Sequence, residues 1–515
     1  MIALPTLRVF LFFLTAFLAL SSGIIASSDG VTIFNVTQAM VERGEISVSG
    51  DNVSIGVGGK PYSRYGIALS VVAIPLYLLS KLASSLIPAQ FHGLILKGSV
   101  SLTNAIVGGL VCLLLFLTGQ KLGYSPRVSF QLAISFAFST FFIVYATKSF
   151  FTQPLEAFTL LAAVYFLLKA RSESSPRSLG AAGFFAGLGV LTKLTFIVNL
   201  PVLFAYVLAI PCKGRRARDL TVFAAPAALL SALALGYNYA RFGSILKTGY
   251  WVVPALSTPL FVGLYGLLFS SGKSLFLYAP IVVLGIASMK AFAKSHKREM
   301  WMLLGLFTVN LLLIAKYRDW GGEGSWGPRY LTLVLPCLVL PIGALLETGS
   351  IAVKRMFLAL SLVGLLVQFG GVSIYYGTYY RVLGEYPYRK DRTDPLFLYK
   401  AHYVPNYSPV WGQLKMAGQN WGKFLKREKP TFSIKFDGER IPLSDSDLEK
   451  LRETLDLWFA YAYYAGMTFG PCLLGMILAI GAAAAMGWRL HCSCEASEHR
   501  TTAFPHDQRQ VSDDL

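Results

Sequence analysis

Charge is what this sequence has least of. Only 14% of its 515 residues are Asp, Glu, Lys or Arg, about half the usual globular share, while 54% are hydrophobic and mean hydropathy is +0.55. Acid is scarcer than base, 27 residues against 46, and no acidic cluster forms a cage for a hard cation. The six cysteines offer no disulfide framework. Cys112, Cys212, Cys337 and Cys472 lie in or beside apolar runs, and the Cys492–Cys494 C-x-C lacks a partner pair for a metal. No internal repeat is evident. These absences exclude a charged soluble domain, a disulfide scaffold and a solenoid.

What is present is apolar length. Hydrophobic segments fall near 5–26, 66–87, 100–118, 129–145, 154–168, 179–194, 196–211, 220–238, 275–291, 299–316, 331–347, 356–377 and 457–487. Many approach the roughly 20 residues that cross a bilayer as helix. The expected fold is an all-α polytopic membrane protein. The first segment reads as an uncleaved span rather than a signal peptide, because its flank carries only Arg8.

The net charge of +19 is mostly in short basic loops, as the positive-inside rule expects, and does not argue for nucleic acid. Lys169–Arg177, Lys213–Arg218, Lys290–Arg298, Lys354–Arg355 and the tail after Arg489 read as cytoplasmic. Residues 239–274, 317–330 and 378–456 then lie outside, as does Asp29. If 66–87 crossed fully, the basic loop at Lys121 and Arg127 would land on the wrong side. The expectation is that 66–87, which carries Pro75, is re-entrant or lies along the membrane surface.

The organisation expected is a transmembrane bundle at 1–377, an outside loop or cap at 378–456, a last span at 457–488 and a disordered cytoplasmic tail at 489–515. Within the cap, a strand is expected at Thr431–Phe436. Ser444-Asp445-Ser446-Asp447 would cap a short helix over Leu443–Leu457.

Unusual residue types concentrate in the outside loops. Asp29-Gly30 follows the first span, and Lys60-Pro61-Tyr62-Ser63-Arg64-Tyr65-Gly66 precedes the next apolar run. Asp29 also suits the start of a helix over Val31–Arg43. Residues 316–330 read KYRDWGGEGSWGPRY, where Trp320 and Trp326 suit an interface or a sugar face and Arg318 and Arg329 suit a phosphate. Residues 236–251 hold Arg241 and Tyr250, and the glycine-rich run at 261–280 holds Lys273 before a helix opening at Ser274. Gln153 sits in a short loop with Glu156 just inside the following helix, an acid at membrane depth that is by default a functional hypothesis. Glu156 could instead simply pair with Lys148; Lys193 and Lys273 raise the same question of a charge at membrane depth, and Lys193 could merely snorkel to the surface. The N-x-S/T sequons at Asn35, Asn52 and Asn406 lie outside. They would be glycan acceptors in a eukaryotic secretory chain and mean nothing in a bacterium.

The ordered set of Asp29-Gly30, the Lys60–Gly66 run, GLGVLTKLT at 187–195, YNYARFGSILKTGY at 237–250, LLFSSGKSLFLYAP at 267–280 and WGGEGSWGPRYLTLVLP at 320–336 resembles the lipid-carrier-dependent glycosyltransferases of the GT-C superfamily. That family includes protein mannosyltransferases and lipid A aminoarabinose transferases. The resemblance implies a GT-C-like bundle of about 12–13 transmembrane helices. It also implies inverting transfer from a polyprenyl-phosphate sugar to a glycan, lipid or protein acceptor at the outer face of a bacterial inner membrane. Asp29 matches the family's first-loop acid, a general base or acceptor-positioning group. The phosphate-binding candidates are Arg329, Arg318, Lys60, Arg64, Arg241 and Lys273. The acceptor or sugar candidates are Glu156, Gln153, Trp320, Trp326 and Tyr250. Many relatives carry an acid where this chain has Gln153, so Glu156 is the candidate second carboxylate. No obligatory cofactor or metal is implied. The rival reading is a transporter or lipid flippase, which would more often show inverted repeats and broken helices meeting at the midplane.

Overall fold

The computed structural model describes residues 4–148, 150–210, 216–250, 256–385, 394, 397–430 and 454–502. Regular structure there is almost entirely helix, as it must be where lipid offers the backbone no hydrogen bonds. Among the described residues, six helices are long and apolar enough to cross a membrane: His92–Lys121, Arg216–Phe242, Ile281–Lys316, Arg329–Thr348, Ile351–Ser373 and Phe469–Cys494. Thr6–Leu20, Leu194–Ala209 and Leu260–Phe269 are shorter apolar helices. The chain is a multi-pass membrane protein. In Arg329–Thr348 the apolar window is 78% buried by protein, against 11% in Phe469–Cys494, so the former is the centre of the bundle and the latter its flank. Leu474, Ile477, Leu478 and Trp488 of the flanking helix are exposed, an apolar face that only lipid would cover well.

Residues 66–87 form two short helices, Ala68–Val72 and Ile74–Ser84, and neither is long enough to cross. Pro75 opens the second, where its missing N–H costs nothing. This removes the parity problem, because the basic loops now gather at one end. Lys121 pairs with Glu173 at 2.8 Å, Arg171 pairs with Glu299, and the Ser125 amide donates to Glu347 at 2.5 Å.

The cap segment packs on the bundle through the helix Pro409–Leu425, which buries Val410, Gln413, Ala417 and Phe424. Gln413 donates to the Tyr376 carbonyl at 2.9 Å, and the Trp421 indole donates to Ser373 Oγ at 3.0 Å. The expected strand at Thr431–Phe436 lies outside the described residues, as does the expected helix from Leu443 to 453. Two expectations are corrected further on. The last span is broken into Trp458–Tyr464 and Phe469–Thr502 by a turn at Gly466, whose φ is +116°. The second of these helices continues to Thr502, where a disordered tail from 489 was expected.

Candidate active site

At the end opposite the clustered basic loops, a cavity of about 1370 Å³ opens among the segments that carried the unusual residue types. Its chemistry begins at Asp29. Ser27 has extended backbone and accepts the Gly30 amide on Oγ at 3.0 Å, capping the helix Ser28–Arg43. Asp29 therefore stands in the first turn, where the helix end favours a negative charge. Gly30 is required beside it. A Cβ there would sit 2.8 Å from Ile25 Cγ2 and 3.0 Å from the Phe150 carbonyl oxygen, closing the gap through which the 150–153 loop approaches.

Two side chains hold the Asp29 carboxylate. Arg329 Nη1 lies 3.1 Å from Oδ2, and Asn52 Nδ2 donates to Oδ1 at 3.2 Å. The Tyr65 phenol stands near enough to feel the carboxylate's charge. Burial, then the Asp29 charge, pushes the Tyr65 phenol well above its usual range, so it stays protonated.

Arg329 is placed by the turn before it. Gly327 has φ +60°, Pro328 follows, and Arg329 opens the 3₁₀ turn Arg329–Val334. Its Nη2 donates to the Tyr330 hydroxyl at 3.0 Å, and its guanidinium carbon stands 5.4 Å from the Phe151 ring centroid. A second charge pair lies nearby. Glu156, in the first turn of the helix Gln153–Glu173, faces Lys193 at 3.7 Å and accepts the Thr152 hydroxyl at 2.6 Å. Lys193 Nζ stands 4.4 Å from the Tyr330 ring centroid. Gln153 is buried on the wall, and its Oε1 has no hydrogen-bond partner.

The cavity thus brings together Asp29, Arg64, Gln153, Glu156, Arg241, Tyr250, Arg318 and Arg329. Arg318 pairs with Asp319 at 3.8 Å. Arg64 donates to Ser54 Oγ at 3.2 Å and the Val53 carbonyl at 3.3 Å, which ties it to the hairpin of Val53–Ile55 and Pro61–Ser63. Arg241 needs a different role from the one expected. Its guanidinium donates to the carbonyls of Ser63, Tyr65 (3.0 Å) and Tyr237 (3.3 Å) and to Asn238 Oδ1 (2.7 Å). It props up the hairpin end that carries Tyr65, with its donors spent on protein.

Four expected residues are not on the cavity wall. Lys60 is exposed and pairs with Glu45 at 3.8 Å. Lys273 is fully buried, its Nζ donating to the Ser325 carbonyl at 2.5 Å, Ser325 Oγ at 3.3 Å and the Gly327 carbonyl at 3.3 Å. Trp320 packs against Gly266 and His402. Trp326 is core: it meets the Tyr278 ring edge-on at 4.9 Å and donates to Gln368 Oε1 at 3.0 Å. Sequence reasoning missed Asn52, Tyr65 and Tyr330 as site residues. The adjacency of Tyr330 to Arg329, and of Tyr65 to Arg64, was the available signal.

Residues 93–237 match the family described as dolichyl-phosphate-mannose-protein mannosyltransferase. That stretch includes Gln153, Glu156 and Lys193 but neither Asp29 nor Arg329. No curated protein sequence matches the chain. Among solved structures, it is similar to ArnT from Cupriavidus metallidurans bound to undecaprenyl phosphate, at 15% identity over 94% of this chain and 76% of that one, with a TM-score of 0.49. The same ArnT in the apo state gives 15%, 94%, 76% and 0.48. The Archaeoglobus fulgidus oligosaccharyltransferase tethered with an acceptor peptide is similar at 13% identity over 86% of this chain and 60% of that one, with a TM-score of 0.43. Over residues 93–237, the family match bears out the resemblance of this chain to the GT-C glycosyltransferases.

Proposed function

We propose that the protein is an inverting glycosyltransferase that moves a sugar from a polyprenyl-phosphate donor to an envelope glycan, lipid or protein acceptor. In this reading it works at the extracytoplasmic face of a bacterial inner membrane. The observation that carries the proposal is the meeting of Asp29 and Arg329 in one cavity, 3.1 Å apart. The acceptor hydroxyl oxygen forms a bond to the anomeric carbon as the bond from that carbon to the phosphate oxygen breaks. The electron pair leaves with the lipid phosphate, and the hydroxyl proton passes to Asp29. The departing phosphate gains charge, which Arg329 is placed to meet without a proton and without an obligatory metal. Gln153 Oε1, an acceptor without a donor, and Glu156 suit the hydroxyls of a sugar. No carboxylate need form a covalent intermediate.

The test is transfer from a labelled polyprenyl-phosphate sugar mixture in membranes carrying wild type or Asp29→Asn. Wild-type transfer with a loss of about 100-fold in the variant is the result expected of a missing general base. Equal transfer by both removes Asp29 from the chemistry. If labelled donor crosses the membrane intact instead of being consumed, the flippase reading replaces this one.

A further inference from the structure

Arg329 has more to offer than Asp29 takes. The contact to Asp29 uses Nη1 alone, Nη2 is turned to Tyr330, and the Nε–H is buried without a hydrogen-bond partner. An arginine fork of this kind suits the paired oxygens of a phosphate better than one carboxylate oxygen. Asp29, for its part, does not depend on Arg329 for its position. Asn52 binds its other oxygen, and Asn52 is itself fixed by a second bond, from the same amide nitrogen to Ser28 Oγ at 3.0 Å. Both members of the ion pair are mostly buried, with side-chain exposures of 11% and 21%, so solvent screens their attraction weakly.

We propose that Arg329 exchanges partners, pairing with Asp29 before the donor binds and with the donor phosphate afterwards, so that the donor's arrival frees the Asp29 carboxylate while Asn52 keeps it aimed. This rests on the reading of Asp29 as base and Arg329 as phosphate group. A carboxylate held only by neutral donors is the better proton acceptor. The exchange therefore couples proton abstraction to a filled donor site. When the bond to the anomeric carbon breaks, the lipid phosphate passes from a singly charged diester to a more highly charged monoester, and its hold on Arg329 tightens at that step. Once Asp29 has passed the acceptor's proton on to solvent, its restored carboxylate pairs with Arg329 again as the phosphate leaves, and this reverse exchange assists product release.

Linkage supplies the test. If Asp29 competes with phosphate for Arg329, removing the Asp29 charge must strengthen phosphate binding. The probe is radiolabelled farnesyl phosphate, titrated against the full chain in detergent. Asp29→Asn and Asp29→Ala are each expected to bind it about fivefold or more tighter than wild type, the lower end of usual coupling strengths. A gain of affinity cannot come from misfolding, and the two variants guard against loss of either one. Arg329→Gln is expected to weaken binding about tenfold or more, and adding Asp29→Asn to it should change nothing further. The exchange is overturned if the Asp29 variants bind no tighter than wild type while Arg329→Gln weakens binding, with the phosphate site left standing. It is overturned as well if the tightening persists undiminished in the Arg329→Gln background, since that is plain charge repulsion. If Arg329→Gln binds like wild type, the phosphate assignment itself fails and the exchange with it.

Discussion

Asn52 bonds through one amide nitrogen to both Ser28 Oγ and Asp29 Oδ1, at 3.0 and 3.2 Å. This asparagine opens a sequon, Asn52-Val53-Ser54, yet its side chain is spent inside the fold and Ser54 Oγ is bonded to the Gly249 carbonyl at 2.5 Å. The hairpin thus delivers a positioning donor to the carboxylate. Asn52→Ala is expected to lower kcat about tenfold, the value of roughly one charge-assisted hydrogen bond, while leaving the donor KM near wild type. Asn52→Asp should lose more, because two carboxylates would then face each other. Steady-state transfer kinetics read both, and a KM effect without a kcat effect would show that Asn52 only shapes the pocket.

Lys273 fixes the turn from which Arg329 springs. Its ammonium is buried against the Ser325 and Gly327 carbonyls, and burial with the nearby Arg329 charge pushes its pKa well down. The loop that carries it is locked in turn. The Gly272 amide donates to the His402 carbonyl at 3.0 Å, and Ser408 Oγ donates to the Ser271 carbonyl at 2.6 Å. Lys273→Met keeps the length and removes the donors, which leaves buried carbonyls unpaired at roughly 1–3 kcal/mol each. The expected result is a lower thermal-inactivation midpoint and a raised donor KM. A variant with wild-type values for both would remove Lys273 from the placement of Arg329.

The fold was legible because lipid imposes helices on apolar runs, and the site was legible as the loops where Asp, Arg, Trp and Gly interrupt them. What could not be read was which groups the protein spends on itself. Lys273 and Arg241 look like phosphate ligands in sequence, but their partners are carbonyls supplied by segments 52 and up to 178 residues away. Trp320 and Trp326 suit a sugar face by residue type. In the fold they fill the space that glycine leaves, at Gly266 and at Gly371. Asn52 was invisible because its role depends on the hairpin folding back over the helix start. The contacts of Lys121 with Glu173, Arg171 with Glu299 and Ser125 with Glu347 settle which loops share an end.

Gly66 marks a close approach of that hairpin segment to the bundle. A Cβ there would lie 2.3 Å from the Thr192 carbonyl oxygen and 2.5 Å from that of Leu191. Gly66→Ala must therefore push the Arg64–Tyr65 stretch away from the end of the helix Pro176–Thr192, next to Lys193. Overpacking of this kind costs about 1–3 kcal/mol. Expected is a lower inactivation midpoint together with lost transfer. Gly236→Ala is the control, since a Cβ there meets nothing within 4 Å in a helix interior, where alanine is favoured. If both variants behave alike, the close packing at Gly66 is not what holds the loop.

Lys148 gives the fold a pH dependence whose sign can be worked out. It is buried between the helices Phe142–Thr147 and Gln153–Glu173 and donates to the Asp456 carbonyl. Burial pushes its ammonium down to about 8, against the opposing pull of the Asp456 carboxylate, which burial pushes up. An unfolded lysine titrates near about 10.4. Between about 8 and that value the unfolded chain holds more protons than the folded one, so stability rises with pH across this window. Below about 8 both states are protonated and the full cost of the buried charge is felt. Lys148→Met removes the titrating group. The lost bond offsets its inactivation midpoint from wild type by a constant amount, so the informative quantity is the difference between the two profiles. That difference should shift in favour of wild type as pH rises from 8 towards 10. Parallel profiles would mean that Lys148 stays charged in the fold, held by Asp456 across the whole range.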